Sequence, residues 1–374
     1  MKESMRYNYK IFDFSFSLVS DSSQAVRLFD LVYRNFRQKS SQPSSFSFEV
    51  NTNHGRRKVP HLKAAENIYP FHSFGVIESQ CFKLVTDEIY RKINSHFWMH
   101  GGGVAFRNKG VMVCGDSGAG KTSLILKLLS NGFKFLSDEV IPLDKKTGMM
   151  VPFPRSVGLR PEARFLLEKE FSFFKELEFV NLAGHKYFGN PILLKSKRTD
   201  KPAFPEYFIY LTKPDSGPHG EIKIDIIIEI GGADFLFSLE KVKGVKILKS
   251  IRRDDYIYVT ARIKKNASVI KRYLEECKKF KKYIVHTEKK IERGLRFNQK
   301  PQIRPLSFHD IGLFLLKQSK DNLMEYNFDQ EKFESVGAYW LDLLKKLSLQ
   351  KMKGFELQVG RMGEMVELLK NFVR

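Results

Sequence analysis

Apolar positions in the middle of this chain follow two periods, that of a buried strand and that of a helix. The apolar run 111–114 predicts a buried parallel strand, and the segment 122–130 (TSLILKLLS) predicts a helix that ends at Asn131-Gly132. The alternation of strand and helix patterns predicts an α/β layer fold, in which helices cover a sheet. Later elements of this fold are predicted as strands at 133–137, 205–211, 221–230 and 355–359 and a closing helix at 362–373.

The first part of the chain shows a different pattern. Alternating or aromatic-rich segments at 7–18 and 46–50 flank a predicted helix at 23–37, and a second helix is predicted near 79–95. We therefore expect an N-terminal α+β lobe at 1–95.

The remainder, 96–374, is expected to form one catalytic domain. Between Lys241 and Lys300 the chain carries 20 Lys or Arg against 6 Asp or Glu, a net charge of +14, and from residue 268 onward the pattern is mainly helical. These features predict a basic, helical C-terminal region with an insertion around 241–345. One amphipathic helix of this region is expected to turn six residues toward the core: Ile270, Tyr273, Leu274, Cys277, Phe280 and Ile284.

The most informative segment lies between the first predicted strand and helix and reads GDSGAGKTS from Gly115 to Ser123. It matches the phosphate-binding pattern G-x-x-x-x-G-K-[ST], whose glycines let several backbone N–H groups point at phosphate oxygens. Lys121 is expected to reach the β- and γ-phosphates of a nucleotide, and Thr122 to offer its hydroxyl to Mg²⁺. Asp116 is expected to shape the loop. The predicted nucleotide-binding residues are Gly115, Asp116, Ser117, Gly118, Ala119, Gly120, Lys121, Thr122 and Ser123.

Two carboxylates follow the next predicted strand. Asp138 and Glu139 lie 17 and 18 residues after Lys121. An acidic group at this place holds Mg²⁺ or takes a proton from an attacking hydroxyl, so Asp138 and Glu139 are candidate metal ligands and one of them is a candidate base. In a plain NTPase the carboxylate would hold only the metal, and this alternative stays open.

Three basic side chains are further candidates. His100 precedes the first strand of the predicted site, although a lone histidine is more often structural. Arg155 and Arg160 lie in the Pro-rich segment 152–161, where a guanidinium on a rigid backbone suits paired hydrogen bonds to phosphate or carboxylate. Ordinary ion pairs at the surface are the alternative for both arginines.

Taken together, these residues resemble the HPr kinase/phosphorylases and the wider set of HPr-kinase-related proteins. That family has a His 15 residues before the first Gly of a G-D-S-G-x-G-K-S loop and an acidic pair 17 and 18 residues after the loop Lys; His100, Gly115 and the pair Asp138-Glu139 have the same spacings. The resemblance implies an α/β fold with a P-loop kinase core of the HPr-kinase/PEP-carboxykinase-like type, and ATP with Mg²⁺ as cofactors. It also implies that His100 lines the site, that Lys121 grips phosphate, that Asp138 is the base and that Glu139 assists with metal or proton.

The chain departs from the bifunctional members of that family. They have Asp where this chain has Glu139 and Ser where it has Thr122, and the chain has no counterpart of their L-E-x-R-G-x-G segment. It is more similar to related kinases of peptide-maturation and natural-product systems, which share a D-E pair, a P-F-P-R loop as at 152–155 and a late P-L-S segment as at 305–307. This similarity implies a serine kinase that acts on a peptide. The close match spans 100–139.

Composition narrows the setting. Apolar residues make up 42% of the 374 residues, with 33 Phe among them, which excludes a disordered protein. Cys81, Cys114 and Cys277 are too few and too scattered for a disulfide framework or a zinc site, so a reduced, cytoplasmic location is expected. The sequence shows neither a signal-peptide pattern nor 18 consecutive apolar residues, and no membrane span is expected.

The leading hypothesis is an ATP- and Mg²⁺-dependent kinase that phosphorylates an alcohol, first of all a Ser hydroxyl of a peptide or protein. The net charge of +22 favours an acidic polypeptide as the partner. The alternatives are a P-loop ATPase or switch protein, a small-molecule kinase and a nucleic-acid-directed kinase, of which the last is the least favoured. The sequence leaves open whether the donor is ATP or another NTP, and whether the chain oligomerises.

Overall fold

The structure is a computed structural model of the chain, and it divides by packing into two compact units, Met1–Thr212 with Gln299–Arg374, and Lys213–Asn298. The predicted boundary at residue 95 lies inside the first unit. Within the described part of the chain, no helix is long and apolar enough to span a membrane. The structure describes residues 4–39, 44, 46–52, 59–71, 77–116, 118–159, 163, 180–182, 186–189, 199–213, 221–253, 256–264, 266–290, 299–320, 336–349 and 352–373.

The elements are numbered in chain order. The strands are β1 Met5–Ile11, β2 Phe14–Ser20, β3 Ser47–Asn51, β4 His61–Ala64, β5 Asn67–Pro70, β6 His96–His100, β7 Gly102–Phe106, β8 Lys109–Gly115, β9 Lys134–Ser137, β10 Val140–Asp144, β11 Val157–Leu159, β12 Val180–Leu182, β13 Lys186–Gly189, β14 Phe204–Thr212, β15 Glu221–Glu229, β16 Val245–Arg253, β17 Tyr256–Lys264, β18 Ile284–Lys290, β19 Gln302–Leu306 and β20 Lys353–Gln358. The helices are α1 Ser23–Tyr33, α2 Ile77–Lys92, α3 Lys121–Ser130, α4 Asp234–Glu240, α5 Ala267–Lys279, α6 Phe308–Lys320, α7 Val336–Leu349 and α8 Met362–Val373.

The N-terminal strands form a five-stranded sheet in the order β1-β2-β3-β4-β5, with α1 and α2 packed together. The alternating and aromatic segments of the sequence supply its core, in which Tyr9, Phe16 and Phe48 are fully buried. The predicted helices at 23–37 and 79–95 are confirmed in type, since they correspond to α1 and α2. The helix α1 is shorter than predicted, because its last predicted turn is a 3-10 helix, Arg34–Phe36.

The main sheet of the first unit has the order β19-β20-β14-β8-β7-β9. Its strands β8, β14 and β20 are parallel neighbours, whereas β7, β9 and β19 run antiparallel to the strands they adjoin. In β8, Val111, Met112 and Val113 are fully buried, as expected for a parallel strand that is covered on both faces. The fold is therefore mixed α/β with several sheets, and the predicted strands that became β8, β9, β14 and β20 are confirmed.

The topology of this sheet brings two distant segments to one edge. Because β7 is antiparallel to both β8 and β9, the strands β8 and β9 run in the same direction. The residues that follow them, the loop before α3 and the pair Asp138-Glu139, therefore lie at the same edge of the sheet. This edge, beyond the carboxyl ends of parallel strands, is where open α/β sheets bind their ligands.

The second unit is a four-stranded antiparallel sheet in the order β16-β17-β15-β18, with α4 and α5 joining its strands. The chain order β15-α4-β16-β17-α5-β18 gives it the split βαβ topology. Residues Ile226, Ile228 and Val259 lie in its core together with Phe235 of α4 and Tyr273 of α5.

Two predictions about this region are wrong. The insertion around 241–345 is not simply helical, because 245–253 and 256–264 are strands, as their alternating β-branched residues favour. The predicted amphipathic helix ends at Lys279, so Ile284 belongs to β18, and Leu274 is 57% exposed rather than part of the core. The other four predicted residues, Ile270, Tyr273, Cys277 and Phe280, are buried or half-buried.

Candidate nucleotide site

The loop between β8 and α3 has the backbone that its glycines allow. Gly115, Gly118 and Gly120 have φ angles of +142°, +73° and +86°, in the region that residues with a Cβ atom rarely adopt. A Cβ atom on Gly115 would lie 2.5 Å from the carbonyl oxygen of Leu211 in β14. The glycine at this position therefore permits both the turn and the close approach of two parallel strands.

The helix α3 begins directly at the end of this loop. Gly120 is its N-cap residue, and the helix starts at Lys121. The unpaired N–H groups and the positive end of the helix dipole favour an anion at this end. Leu124, Leu128 and Leu129 are buried, which fixes the helix against the sheet. Ser117 lies outside the described residues, and the other predicted loop residues occupy the strand–loop–helix context that their pattern requires.

Lys121 folds back over the loop. Its Nζ donates to the carbonyl oxygen of Gly115 at 2.8 Å and to that of Asp116 at 3.3 Å. Burial lowers the pKa of Lys121 below its ordinary value of 10.5, and the nearby carboxylates of Glu139, Asp138 and Asp116 oppose this effect. Lys121 thus forms hydrogen bonds to the phosphate loop and favourable charge interactions with the acidic pair.

Asp138 follows β9 and is 2% exposed. The hydroxyl of Thr122 is 3.1 Å from each of its carboxylate oxygens and donates its single hydrogen to them. This contact joins the last residue of the phosphate loop to the first residue of the acidic pair, which is the pairing that holds Mg²⁺ in P-loop NTPases.

Glu139 has an unusual backbone. Its φ angle is +69°, and its carbonyl oxygen accepts a hydrogen bond of 3.1 Å from the N–H of Gly101. A non-glycine residue in the left-handed region is uncommon and is concentrated at functional sites. The register of β6 and β10 pairs His100 with Val140, so His100 lies beside the residue that follows Glu139. The structure thus places the predicted His100 next to the backbone of the acidic pair.

Arg155 approaches the acidic pair from the protein interior. Its guanidinium is buried, donates to the hydroxyl of Tyr90 at 2.9 Å and lies 4.9 Å from the ring centroid of Tyr33. Burial opposes its charge, but the oxygens of Tyr33 and Tyr90 and the carboxylates of Glu139 and Asp138 outweigh burial and raise the pKa of Arg155. This burial disagrees with the alternative of a surface ion pair, and the guanidinium acts on the acidic pair through its charge. Arg160 lies outside the described residues.

Two residues that the sequence analysis did not single out complete the site. These residues are Tyr210 and Lys317. The Tyr210 hydroxyl donates a hydrogen bond of 3.0 Å to Asp116 Oδ1, and Lys317 Nζ forms an ion pair of 2.9 Å with the same oxygen. Lys317 also lies 3.0 Å from the Tyr210 oxygen. Tyr210 lies in the predicted strand β14, directly opposite Cys114, so its position beside the loop follows from the pairing of that strand. Lys317 lies 201 residues from Asp116, and no local sequence pattern indicates that it belongs to the site. Cys114 is fully buried in β8, as predicted.

The oxygen atoms of this site fit Mg²⁺. Among the residues that the structure describes, no three His, Cys, Asp or Glu side chains are grouped closely enough to hold a metal by themselves. Mg²⁺ does not require such a cage, because it is usually bound by one or two protein oxygen ligands together with phosphates and water. Thr122 and Asp138 supply hard oxygen donors side by side, with Glu139 adjacent in the chain.

Comparisons with known proteins give a partial likeness among solved structures. No family model matches the chain, and no curated protein matches it. Among solved structures, the Hpr(Ser) kinase/phosphatase from Coxiella burnetii matches with 19% identity and a TM-score of 0.21, over 32% of this chain and 69% of that one. A likeness with so low a TM-score carries no argument, and the proposals that follow rest on the residues of the site.

Proposed function

We propose that this chain is an ATP- and Mg²⁺-dependent kinase that transfers the γ-phosphoryl group to an alcohol, a Ser hydroxyl of a peptide or protein. One observation carries the proposal: the Thr122 hydroxyl, at the end of a glycine-rich phosphate loop, is hydrogen-bonded to the buried Asp138. A phosphate cradle and a carboxylate therefore form one continuous site, as phosphoryl transfer to a hydroxyl requires.

Each residue has a role in this reaction that follows from its place. The backbone N–H groups of the loop and the Nζ of Lys121 bind the β- and γ-phosphate oxygens. To do so, Lys121 gives up its hydrogen bonds to the carbonyl oxygens of Gly115 and Asp116 and forms bonds to phosphate instead. Thr122 and Asp138 would hold Mg²⁺, which neutralises phosphate charge when bound.

Asp138 is the proposed base. The acceptor O–H bond breaks, and its proton passes to the carboxylate. The acceptor oxygen then forms a bond to the γ-phosphorus while the bond from that phosphorus to the β-phosphate oxygen breaks, so ADP leaves. The buried charge of Arg155 interacts favourably with the carboxylates of Asp138 and Glu139. The positive charge of the chain, +22, supports an acidic polypeptide as the acceptor.

The test uses purified protein, γ-labelled ATP, Mg²⁺ and an extract of the host cells. Label is expected on a polypeptide with the parent protein, and Lys121→Ala and Asp138→Asn should remove it, because each loses several kcal/mol of transition-state stabilisation, on the order of 10²-fold or more in rate. Lys127→Ala changes a lysine nearly two turns further along α3 and serves as the control. Transfer by Lys121→Ala at the parent rate would contradict the proposal.

A nucleotide-hydrolysing protein is the second candidate. The contact between Thr122 and Asp138 favours it too, because the same pairing holds the metal in P-loop ATPases and GTPases. In that case the acidic pair positions water, and the labelled phosphate appears only in free form at every extract concentration. A nucleic-acid-directed kinase would instead label RNA or DNA in the extract, and nuclease treatment would remove that label.

A further inference from the structure

The phosphate loop contains a negative charge where its other groups attract anions. Asp116 is the second residue of the loop, directly after Gly115, and its side chain is 43% exposed. The loop N–H groups, the start of α3 and Lys121 all favour phosphate, whereas a bare carboxylate in the same loop would repel it. A site of this composition needs the charge of Asp116 to be neutralised.

The fold brings a cation to this carboxylate from far along the chain. Lys317 of α6 forms an ion pair with Asp116 at 2.9 Å, and the hydroxyl of Tyr210 lies within 3.0 Å of both groups. The position of α6 is fixed by the ring of Phe314, which stacks on Tyr210 with centroids 3.9 Å apart and an angle of 17° between the rings. Because Lys317 lies three residues after Phe314, the same face of the helix presents the ammonium group to the loop.

The hydrogen bonds among Tyr210, Asp116 and Lys317 fix the position of the ammonium group of Lys317. Tyr210 is buried at the ring and reaches Asp116 only with its hydroxyl, which also accepts from Lys317. The side chain of Lys317 is 57% exposed, so an ordinary surface lysine would gain little by such a contact. Here the ammonium group has two oxygen partners in fixed positions, one of which belongs to the phosphate loop.

We propose that Lys317 is a positioning residue of the nucleotide site, which cancels the charge of Asp116 and keeps the phosphate loop attractive to the nucleotide. The inference rests on the nucleotide-binding part of the proposed function. It assigns no step of the chemistry to Lys317. Its particular consequence is that the loss of Lys317 harms nucleotide binding only while the carboxylate of Asp116 is present.

The experiment is a double-mutant cycle in nucleotide affinity, measured with a fluorescent ATP analogue and Mg²⁺. Lys317→Ala is expected to weaken binding on the order of tenfold, because it removes the ammonium group that is paired with the Asp116 carboxylate beside the phosphates. Asp116→Asn keeps the shape of the side chain and removes its charge, and in this background Lys317→Ala should weaken binding by no more than about threefold. The double variant Lys317→Ala/Asp116→Asn should recover most of the affinity that Lys317→Ala loses.

Each other outcome overturns the proposal. If Lys317 only braced the loop, Asp116→Asn would be as harmful as Lys317→Ala and the double variant would not recover. If all variants bind as the parent does, Lys317 has no part in the site. In turnover, Lys317→Ala should raise KM for the nucleotide more than it lowers kcat, and Lys317→Arg should restore KM because it restores the charge.

The cycle also separates this inference from the proposed function. A parent protein that binds the analogue but shows an additive cycle refutes the role of Lys317 and leaves the kinase proposal standing. A parent protein that binds no nucleotide at up to millimolar concentration refutes both. Thermal unfolding of all four variants without nucleotide shows whether any loss of binding follows from a loss of folded protein.

Discussion

The backbone of Glu139 offers a direct test of the geometry at the acidic pair. Its φ angle is +69° although it carries a side chain. For an L-residue this conformation costs about 1–2 kcal/mol relative to the right-handed region. The hydrogen bond between the N–H of Gly101 and the carbonyl oxygen of Glu139, and the pairing of Val140 with His100, hold it in place. The matched variants Glu139→Gly and Glu139→Ala separate this strain from the charge, since both lack the carboxylate and only alanine keeps a Cβ atom.

The magnitude follows from two opposing contributions. Glycine relieves the roughly 1–2 kcal/mol of strain, and its greater freedom in the unfolded chain returns roughly 0.5–1 kcal/mol. The free energy of unfolding of Glu139→Gly should therefore exceed that of Glu139→Ala by about 0.75 kcal/mol at the middle of both ranges, or about 1 °C in melting temperature. Denaturant unfolding followed by fluorescence reports on this region, because Trp98 of β6 is fully buried. An alanine variant as stable as the glycine variant would refute the left-handed geometry.

The same pair, with Glu139→Gln added, tests the role of the carboxylate. All three variants lack the charge, and among the neighbouring carboxylates Glu139 contributes most to keeping the pKa of Lys121 from falling further. We expect a similar loss of phosphoryl transfer in all three, on the order of 10²-fold. Full activity of Glu139→Gln would show that only the backbone shape of this residue matters.

Three further predictions concern the loop and its charges. Gly115→Ala should destabilise the protein by more than about 2 kcal/mol and prevent nucleotide binding, since its Cβ would lie 2.5 Å from the carbonyl oxygen of Leu211, whereas Gly363→Ala, with no atom within 4 Å, should be harmless in the same unfolding and binding assays. Arg155→Met should lower the free energy of unfolding by about 1.5–3 kcal/mol, because it removes the buried hydrogen bond from the guanidinium to the Tyr90 hydroxyl. A stability change under about 1 kcal/mol would contradict this contact. The folded state lowers the pKa of Lys121, so between that lowered pKa and 10.5 the unfolded chain binds more protons than the folded one. The contribution of Lys121 therefore makes the free energy of unfolding rise with pH in this range. Lys121→Met should remove this slope in denaturant titrations at several pH values.

Local patterns were sufficient to predict the central part of the site. The strand β8, the loop and α3 are consecutive, and each has a short-range signal: an apolar run, a glycine pattern and a helical period that ends at Asn131-Gly132. The acidic pair was found because it directly follows another strand of the same sheet. These residues are close in sequence, so their spacing contains most of the geometry.

The rest of the site depends on contacts between distant segments. Lys317 reaches Asp116 only because α6 packs on Tyr210, and no single-sequence pattern expresses that packing. Arg155 was predicted either to bind a phosphate or carboxylate or to form a surface ion pair. In the structure it is buried against Tyr33 and Tyr90, which come from the N-terminal helices. Its burial could not be foreseen from the Pro-rich segment around it.

The second unit shows how charge can hide a strand pattern. In β17, Ile257, Val259 and Ile263 alternate toward the core, a two-residue period that the sequence contains. The surrounding lysines and the strong helical period of α5 favoured a helical interpretation of the whole region. The helix then ends at Lys279 without a glycine or proline to mark the end, so the prediction continued into β18.

In the proposed function, the balance of charges in the site explains how a strongly basic chain would bind a nucleotide selectively. The positive charges of Lys121 and Arg155 are balanced by the negative charges of Asp138 and Glu139, and Lys317 forms an ion pair with Asp116. The numbers of positive and negative groups around the loop are therefore equal. Besides Lys121, attraction for phosphate then comes from groups that are fixed in direction, the N–H groups of the loop and the first turn of α3. Such donors select an anion by geometry, whereas the net charge of +22 acts on any polyanion. We therefore expect the proposed nucleotide recognition and the proposed attraction of an acidic partner to be separable, so that a variant can lose one and keep the other.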